Sequence, residues 1–367
     1  MLLLSNRDVQ DLLTMPAGMA AVEQAQRDIG QGEAPGIPRL DLYAPTGLPE
    51  TPYHRWGMMA GATRSQGYLA ARLKSDMVSW PVVAGRQREE KWAREPGTYC
   101  GFIILYSSRT AEPVAILPDG VIQHLRVGAA AGVGTNLLAR QDAETLGMLG
   151  SGGMAREYLE AFRLIRPIRR VRVFSPSAVN RERYAQEMSA RHGIEVTPVD
   201  DPREAVRGAA IVALCVSSIE RVFETEWLEP GMHVTDVTTP STPRDFPTRV
   251  DVAAWNGFPT LVMDPPPDNA IYARGGTLSW VAGTSDELAQ IPRVPPNPAL
   301  LALPTVADVL AGKARGRTSP EQTSFFHNQG RQGQLLAALS GVVYEAARAQ
   351  SVGLEIPTDW FLEDVRD

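Results

Sequence analysis

The pattern of apolar and polar positions changes about a third of the way along the chain. Residues 5–30 carry apolar residues at helical spacing, and Ser5 is placed to cap the first turn. The runs 39–43, 67–80 and 101–117 are typical of strands joined by turns. After the helical segment, we therefore predict that the first third of the chain is mixed strand and loop, without a strand–helix–strand rhythm.

After Gly128, apolar runs of strand length alternate with helical segments. Strands are predicted over 145–149, 171–174, 211–216, 233–237 and 261–264, and helices over 129–140, 154–164, 180–191 and 201–207. This alternation predicts a doubly wound parallel sheet, and therefore an α/β fold. A last helix, 331–350, lies beyond the sheet and is expected to return to the first region.

Composition and charge narrow the classes of function. The 367 residues include 36 basic and 42 acidic ones, and the net charge of −6 argues against a nucleic-acid or anionic-membrane partner. The apolar runs fall far short of the ~20 residues of a membrane helix, and the first residues lack signal-peptide features. Cys100 and Cys215 are too few for a disulfide framework, and the five histidines lack zinc-like spacing. We expect a cytoplasmic protein without a metal.

A glycine turn carries the first functional signal. Gly150-Ser151-Gly152-Gly153-Met154-Ala155 fits the pattern G-x-G-x-x-A and lies between a predicted strand and a predicted helix. The first glycine allows a tight turn, the second lets the backbone approach a pyrophosphate, and Ala155 allows close packing of helix and strand. Free amides at the helix start bind phosphate. We predict a dinucleotide site, with a purely structural turn as the alternative.

The end of the second predicted strand bears on which dinucleotide binds. Ser175-Pro176-Ser177 is followed by Asn180, Arg181 and Arg183, with no carboxylate before Glu182. An NAD site usually has Asp or Glu there, whereas hydroxyls and Arg bond a 2′-phosphate, so NADP is favoured over NAD. The alternative is that both arginines decorate a solvated helix face. The predicted cofactor-binding residues are Gly150, Ser151, Gly152, Gly153, Met154, Ser175, Ser177, Asn180, Arg181, Cys215, Ser217, Val237 and Thr238.

An ordered set of short segments points to a family. The segments are Ile37-Pro38-Arg39, Arg72-Leu73-Lys74-Ser75, Asp119-Gly120 to Leu125-Arg126, Trp227-Leu228-Glu229-Pro230-Gly231-Met232-His233-Val234 and Gly316-Arg317-Thr318-Ser319-Pro320. In them the chain resembles the ornithine cyclodeaminase/mu-crystallin family over nearly its whole length. The resemblance implies a homodimer with a central Rossmann-type domain, 128–317. It also implies a mixed α+β substrate-binding and dimerisation domain formed by both chain ends, 1–127 and 318–367.

The resemblance also implies a class of substrate and the residues that bind it. A 2-imino or 2-amino acid needs its carboxylate neutralised, and Arg39, Lys74 and Arg126 are suited to that. By resemblance, Arg39 and Arg126 hold the carboxylate and Lys74 acts near the reacting carbon. The predicted catalytic residues are Lys74, Arg126 and Asp236, and the predicted substrate-binding residues are Arg39, Lys74, Arg126 and Asn328.

Departures from the family pattern bear on the reaction. Pro240 occupies the position of the family's catalytic acid, with Asp236 four residues earlier. Proline cannot relay a proton, so ornithine-type deamination is disfavoured relative to reduction of a preformed imine. Val127 stands where the family commonly has Thr. Asn328 can donate a hydrogen bond near the nicotinamide, and His327 can supply a proton.

Three functions follow from these features. The leading hypothesis is an NADP-dependent oxidoreductase acting on the C–N bond of a small amino or imino acid, as an imine or ketimine reductase or an amino-acid dehydrogenase. The second is an ornithine cyclodeaminase-like ammonia lyase that recycles NAD(P). The third is a catalytically silent, NADPH-dependent ligand-binding protein. The carboxy-terminal residues 357–362 are apolar enough to pack on a partner subunit.

Overall fold

The computed structural model describes residues 1–83, 86–237, 240–258 and 260–364. The strands are β1 (Leu2–Leu3), β2 (Gly36–Pro45), β3 (Tyr53–Thr63), β4 (Tyr68–Ser79), β5 (Val82–Val83), β6 (Arg86–Gln87), β7 (Glu90–Trp92), β8 (Cys100–Ser107), β9 (Pro113–Pro118), β10 (Thr145–Leu149), β11 (Arg170–Phe174), β12 (Glu195–Pro198), β13 (Ile211–Leu214), β14 (His233–Asp236), β15 (Val252–Trp255), β16 (Ala270–Ala273), β17 (Thr277–Val281), β18 (Ser324–His327) and β19 (Leu354–Glu355). The α-helices are α1 (Asn6–Leu12), α2 (Met15–Gly30), α3 (Asp119–Leu138), α4 (Gly153–Ile165), α5 (Ala178–His192), α6 (Pro202–Val206), α7 (Ser285–Ala289), α8 (Pro298–Leu301), α9 (Val306–Leu310) and α10 (Gln332–Gln350).

The middle of the chain forms a parallel sheet in the order β12-β11-β10-β13-β14-β18-β15, which confirms the predicted doubly wound α/β fold. Its strands are short apolar runs because both faces are covered, and Tyr158 and Phe162 of α4 are fully buried against one of them. The predicted strand over 261–264 is wrong. Leu261, Val262 and Met263 are exposed, and they lead into three prolines that cannot donate to a ladder.

A second, mostly antiparallel sheet is built largely from the two chain ends and has the strand order β16-β17-β2-β3-β4-β8-β9-β1-β19. Helix α10 packs on β3, β4 and α2, so it returns to the first region as predicted. Two segments pair with the sheet of the other predicted domain. The hairpin β16–β17 leaves the Rossmann segment to pair with β2, and β18 enters the parallel sheet between β14 and β15.

The helices at the amino terminus illustrate local control. The predicted helix over 5–30 divides into α1 and α2 because Thr14 caps a second helix start, where Pro16 occupies the first turn. Ser5 caps α1 in a capping box with Asp8, as predicted. Within the described ranges, no helix is long and apolar enough to cross a lipid bilayer.

Candidate active site

A cleft between the two sheets contains two adjoining cavities. We call the first, about 890 Å³, the turn cavity because residues 150–154 line it. We call the second, about 580 Å³, the charged cavity because it is lined by charged side chains of the antiparallel sheet and by α3. Both are lined by Arg88, Tyr99, Met154, Val216, Ser217 and Val237. They therefore form one continuous site at the carboxyl ends of the parallel strands, the usual position in such folds.

The glycine turn has the geometry that a bound diphosphate requires. Gly150 has φ +114°, and a Cβ there would lie 2.1 Å from the Cys215 carbonyl oxygen. A Cβ on Gly152 would meet nothing within 4 Å, which leaves space for a ligand at the start of α4. Ala155 is fully buried under the turn. The turn therefore fits a dinucleotide, whose phosphates the free α4 amides would hold.

The predicted cofactor-binding residues gather at this cavity with two exceptions. All except Arg181 and Thr238 line the turn cavity, and Thr238 lies outside the described residues. The Arg181 side chain instead donates to the Ser175 carbonyl oxygen at 3.0 Å and forms an ion pair with Asp200. It braces the end of β11. Ser177 Oγ accepts from the Asn180 amide at 3.3 Å and so caps α5 at the cavity edge.

The charged cavity is bordered by a sheet face on which most charges are paired. Asp76 accepts hydrogen bonds from Arg55 and Lys74, each at 2.9 Å, and Arg55 also bonds Glu89 at 3.1 Å. These side chains share a face because strand pairing places Arg55 opposite Asp76, and Lys74 two residues before it. Since each carboxylate is held by a cation, this network is neutralised internally and serves as a rigid wall.

Two of the predicted substrate cations belong to that paired network. Arg39 lines the charged cavity, but Nε and one terminal nitrogen donate to Asp41 at 2.8 and 2.9 Å. Lys74 does not line either cavity. Its ammonium pairs with Asp76 and lies 5.8 Å from the centre of the Tyr99 ring, and burial lowers its pKa. The structure thus places Lys74 behind the cavity surface.

Arg126 is the exception among the predicted cations. It extends from α3, is only 3% exposed and lines the charged cavity. No hydrogen bond or ion pair joins its guanidinium to any described residue, and Nε is buried without a partner. Burial, with a smaller contribution from Arg72, lowers the pKa of Arg126 to about 9. A buried, unpaired guanidinium is suited to binding a carboxylate through two parallel hydrogen bonds.

The predicted acid–base residues are placed beneath the cavities. Asp236 and His327 are each 1% exposed, and His327 Nδ1 lies 2.6 Å from Asp236 Oδ1. His327 Nε2 contacts Gln329 Oε1 at 3.0 Å, so both ring nitrogens are occupied. Neither side chain lines a cavity, because β14 and β18 pair with these two residues opposite each other in the sheet interior. The pair therefore has no direct access to a substrate.

Asn328 lines the charged cavity but is held by the protein. Its Nδ2 donates to the Val127 carbonyl oxygen at 2.8 Å and to the Tyr158 hydroxyl at 2.7 Å, and its Oδ1 accepts from Asn256. Both amide hydrogens are used, so the side chain joins β18 to α3 and α4. Within the described ranges, no group of His, Cys, Asp and Glu could hold a metal ion.

Lys91 is a cavity residue that our sequence reasoning did not identify. It lies on β7, lines the charged cavity and has no hydrogen bond or ion pair to a described residue. Burial lowers its pKa to about 7, and the nearby ammonium of Lys74 adds to this. The scarcity of lysine was an available signal, because only three of the 36 basic residues are lysines.

Comparison with known proteins agrees with this architecture. The family model for the ornithine cyclodeaminase/mu-crystallin family matches residues 64–245. A protein of Rhizobium meliloti named as a dehydrogenase is 38% identical over 136 residues, which cover 37% of this chain and only 41% of that relative. The alanine dehydrogenase of Archaeoglobus fulgidus is 25% identical over 97% of this chain and 98% of its own length.

A solved structure extends the comparison to the fold. The Delta(1)-pyrroline-2-carboxylate reductase of Thermococcus litoralis, in complex with NADH and L-proline, has a TM-score of 0.74 at 21% identity. The match covers 97% of this chain and 100% of that one. At this identity the likeness shows that the two chains share a fold. The match of residues 64–245 to the family model is what shows that the chain belongs to the ornithine cyclodeaminase/mu-crystallin family.

Proposed function

We propose that this protein is an NADP-dependent oxidoreductase that reduces the carbon–nitrogen double bond of a small 2-imino acid, or oxidises the corresponding amino acid. The observation that carries the proposal is the unpaired Arg126 guanidinium in a cavity continuous with the glycine turn. An isolated buried cation is costly unless a ligand neutralises it. A substrate carboxylate bound there lies in the same cleft as a nucleotide bound at the turn.

The roles of the chain's own residues follow from their positions. Arg126 binds the carboxylate, and Arg39, fixed by Asp41, offers a second positive charge at the cavity wall. The Asp41 carboxylate keeps Arg39 in place, so that binding energy is converted into orientation of the reacting carbon. A reduced nicotinamide, when bound, supplies the hydride. The names of the alanine dehydrogenase and pyrroline-2-carboxylate reductase relatives support this class of substrate.

The preference for NADP rests on the lining of the turn cavity at the end of β11. Ser175, Ser177 and Asn180 line it, and no carboxylate follows this strand directly. Glu224 lines the cavity in an ion pair with Arg221 at 3.0 Å, which neutralises its charge. Hydroxyls and amides can bond a 2′-phosphate, whereas an adjacent free carboxylate would repel it.

The lyase alternative is less well supported. It needs an acid–base group at the substrate, but Pro240 occupies the family's acid position and Asp236 is bonded to His327 below the cavity. Measurement of NADPH oxidation tests the choice, using cyclic ketimine carboxylates and 2-oxo acids mixed with ammonia or methylamine. Ammonia release without net cofactor oxidation would identify a lyase. Tight NADPH binding without any turnover would identify a binding protein.

We also propose a homodimer formed through the face of the antiparallel sheet opposite the charged cavity. Cross-strand pairing places Leu42 opposite Trp56, and Met58 opposite Leu73, which in turn lies opposite Phe102. Leu42 is 49% and Phe102 38% exposed, a poor arrangement for an isolated subunit. Light scattering should give twice the chain mass of 39.9 kDa, and Phe102→Lys should give the single-chain mass. A single-chain mass for the unaltered protein would contradict the dimer.

A further inference from the structure

Lysine is unusually scarce in this chain, and its distribution is uneven. Of the 36 basic residues only Lys74, Lys91 and Lys313 are lysines. Lys313 is exposed on the surface, where its Nζ donates to the Gly30 carbonyl oxygen. Lys74 and Lys91 both belong to the sheet face beside the charged cavity. Arginine is the usual cation elsewhere in this chain. A lysine beside the cavity therefore suggests chemistry that arginine cannot perform, above all release of a proton near neutral pH.

The register of β7 directs Lys91 toward the cavity. Lys91 lies opposite Val78 on β4, and residues 74, 76 and 78 alternate onto the same face of that strand. Lys74 forms an ion pair with Asp76 and does not line the cavity, whereas Lys91, one strand further out, does line it. Of the two lysines on this face, Lys91 is therefore the one that lines the charged cavity.

The carboxylates that line the charged cavity are already paired with arginines. Glu89 bonds Arg55 at 3.1 Å, and Glu90 forms an ion pair with Arg88. A carboxylate held by arginine stays ionised and is a poor proton donor at neutral pH. Asp236 and His327 bind each other outside the cavity lining, as described above. Among the described lining residues, Lys91 and Arg126 are the cations that no ion pair restrains, and of the two the ammonium of Lys91 is the group that can release a proton near neutral pH.

We propose that Lys91 is the proton donor to the substrate nitrogen, a role that rests on the proposed imine reduction. In that step the carbon–nitrogen π bond breaks and its electron pair goes to nitrogen, which forms a new N–H bond with a proton from Lys91 Nζ. The carbon gains a hydride from the reduced nicotinamide, which is oxidised by two electrons. Lys91 is left as a neutral amine and regains its proton from water. In the reverse direction the neutral amine accepts the proton.

The environment of Lys91 tunes it for this exchange. Burial, reinforced by the positive charges of Lys74 and Arg55, lowers its pKa to about 7, while Glu89 and Asp76 oppose the shift. A group with a pKa near the working pH is populated in both protonation states and transfers protons efficiently. Lys91 would also supply the proton that Pro240, at the position of the family's acid, cannot donate.

The first test measures the ionisation of Lys91 without reference to turnover. Reductive ¹³C-methylation of the whole protein should give three lysine signals in an NMR titration, because the chain has three lysines. Lys91→Met and Lys313→Met assign two of them. We expect the Lys91 signal to titrate near pH 7 and the Lys313 signal near the ordinary value of about 10.4. An ordinary pKa for Lys91 would overturn the proposal.

The second test compares Lys91→Arg with Lys91→Met and uses Lys313→Met as the matched surface control. Arginine keeps the positive charge but cannot release a proton near neutral pH. We expect both Lys91 variants to lose at least about 100-fold in kcat for reduction, with NADPH affinity unchanged. Unaltered protein should lose kcat/KM as pH rises through 7, because the donor must be protonated, and Lys91→Arg should lack this decline.

The outcomes separate this proposal from the proposed function. Lys91→Arg with the rate and pH profile of the unaltered protein would overturn the proton-donor role, since imine reduction would continue without it. A slowed variant that keeps the decline above pH 7 would also overturn it, because another group would then be titrating. If the unaltered protein binds NADPH but reduces no imine, the proposed function fails and the donor role with it. The NMR titration would still report a lowered Lys91 pKa in that case.

Discussion

The two cavities of the cleft are built from opposite materials. The turn cavity is made of backbone and small residues, and its first glycine has a conformation that side chains rarely adopt. The charged cavity is made of long charged side chains on a sheet, most of them neutralised in pairs. A phosphate site needs amides and space, whereas a carboxylate site needs a cation that has not already been neutralised. The proposed role of the turn cavity therefore depends on its small residues, and that of the charged cavity depends on a cation without an ion-pair partner.

Replacement of Arg126 tests the second half of that comparison and should have the largest effect. Arg126→Met removes the carboxylate ligand and should lower kcat/KM by about 10³-fold, equivalent to ~4 kcal/mol for two charge-assisted hydrogen bonds. The free energy of unfolding should not fall, because Arg126 has no partner among the described residues to lose. Steady-state kinetics and urea unfolding of the same preparation measure the two effects.

Arg39→Met provides the matched comparison. It would leave the buried Asp41 carboxylate without its cation, so the free energy of unfolding should fall by about 2–4 kcal/mol. The two replacements should therefore have different effects: loss of the unpaired Arg126 acts mainly on turnover, and loss of the paired Arg39 acts mainly on stability. Equal loss of stability in the Arg126 and Arg39 variants would contradict this distinction.

Two glycine substitutions test the turn cavity. Gly150→Ala places a Cβ 2.1 Å from the Cys215 carbonyl oxygen at φ +114°, so it should cost about 3 kcal/mol or more in folding stability and abolish NADPH binding. Gly152→Ala has an ordinary φ of −84° and open space around its Cβ. It should leave the melting temperature unchanged and weaken NADPH binding by roughly 10–100-fold, since the methyl group enters the phosphate space. Normal NADPH affinity in Gly152→Ala would exclude the turn as the diphosphate site.

The same contrast explains what the sequence could predict. The turn is a local signal, because its strand, glycines and helix are contiguous, and its position and geometry agree with prediction. Whether a cation is free depends on its neighbours in space. Part of that information was also local, since Arg39 and Lys74 each precede an aspartate by two residues, which in a strand is the same face. Arg126 has no carboxylate three or four residues away on its helix, and it is the one left unpaired.

Other features depended on contacts far apart in sequence. The hairpin β16–β17 leaves the predicted Rossmann segment because β2 offers an edge for β17. The pairing of β14 with β18 buries Asp236 against His327, although they are separated by 91 residues. Nothing within either segment marks such a partner. These features therefore require the assembled sheets to be known.

The ionisation of Lys91 predicts a pH-dependent stability effect. A pKa lowered in the folded state means that the unfolded chain binds the proton more tightly, so stability should rise as pH increases from about 7 towards 10. Lys91→Met removes this cost and should stabilise the protein at pH 7 by about 1–3 kcal/mol, allowing for partial exposure to the cavity. The difference from unaltered protein should shrink at pH 9.5. A constant difference in urea unfolding at both pH values would exclude ionisation as its cause.

A negative charge introduced into the turn cavity should have the smallest effect. It tests how far the preference for NADPH depends on the absence of a carboxylate there. Ser177 caps α5, and both Asp and Asn are also good caps, so Ser177→Asp and Ser177→Asn should keep the fold. The aspartate would repel a 2′-phosphate and accept bonds from a ribose hydroxyl, so the ratio of NADPH to NADH affinity should fall about tenfold or more. The neutral asparagine should change it little, which isolates charge from shape. Fluorescence titration with both nucleotides measures the ratio, and a preference for NADH in the unaltered protein would contradict the assignment to NADP.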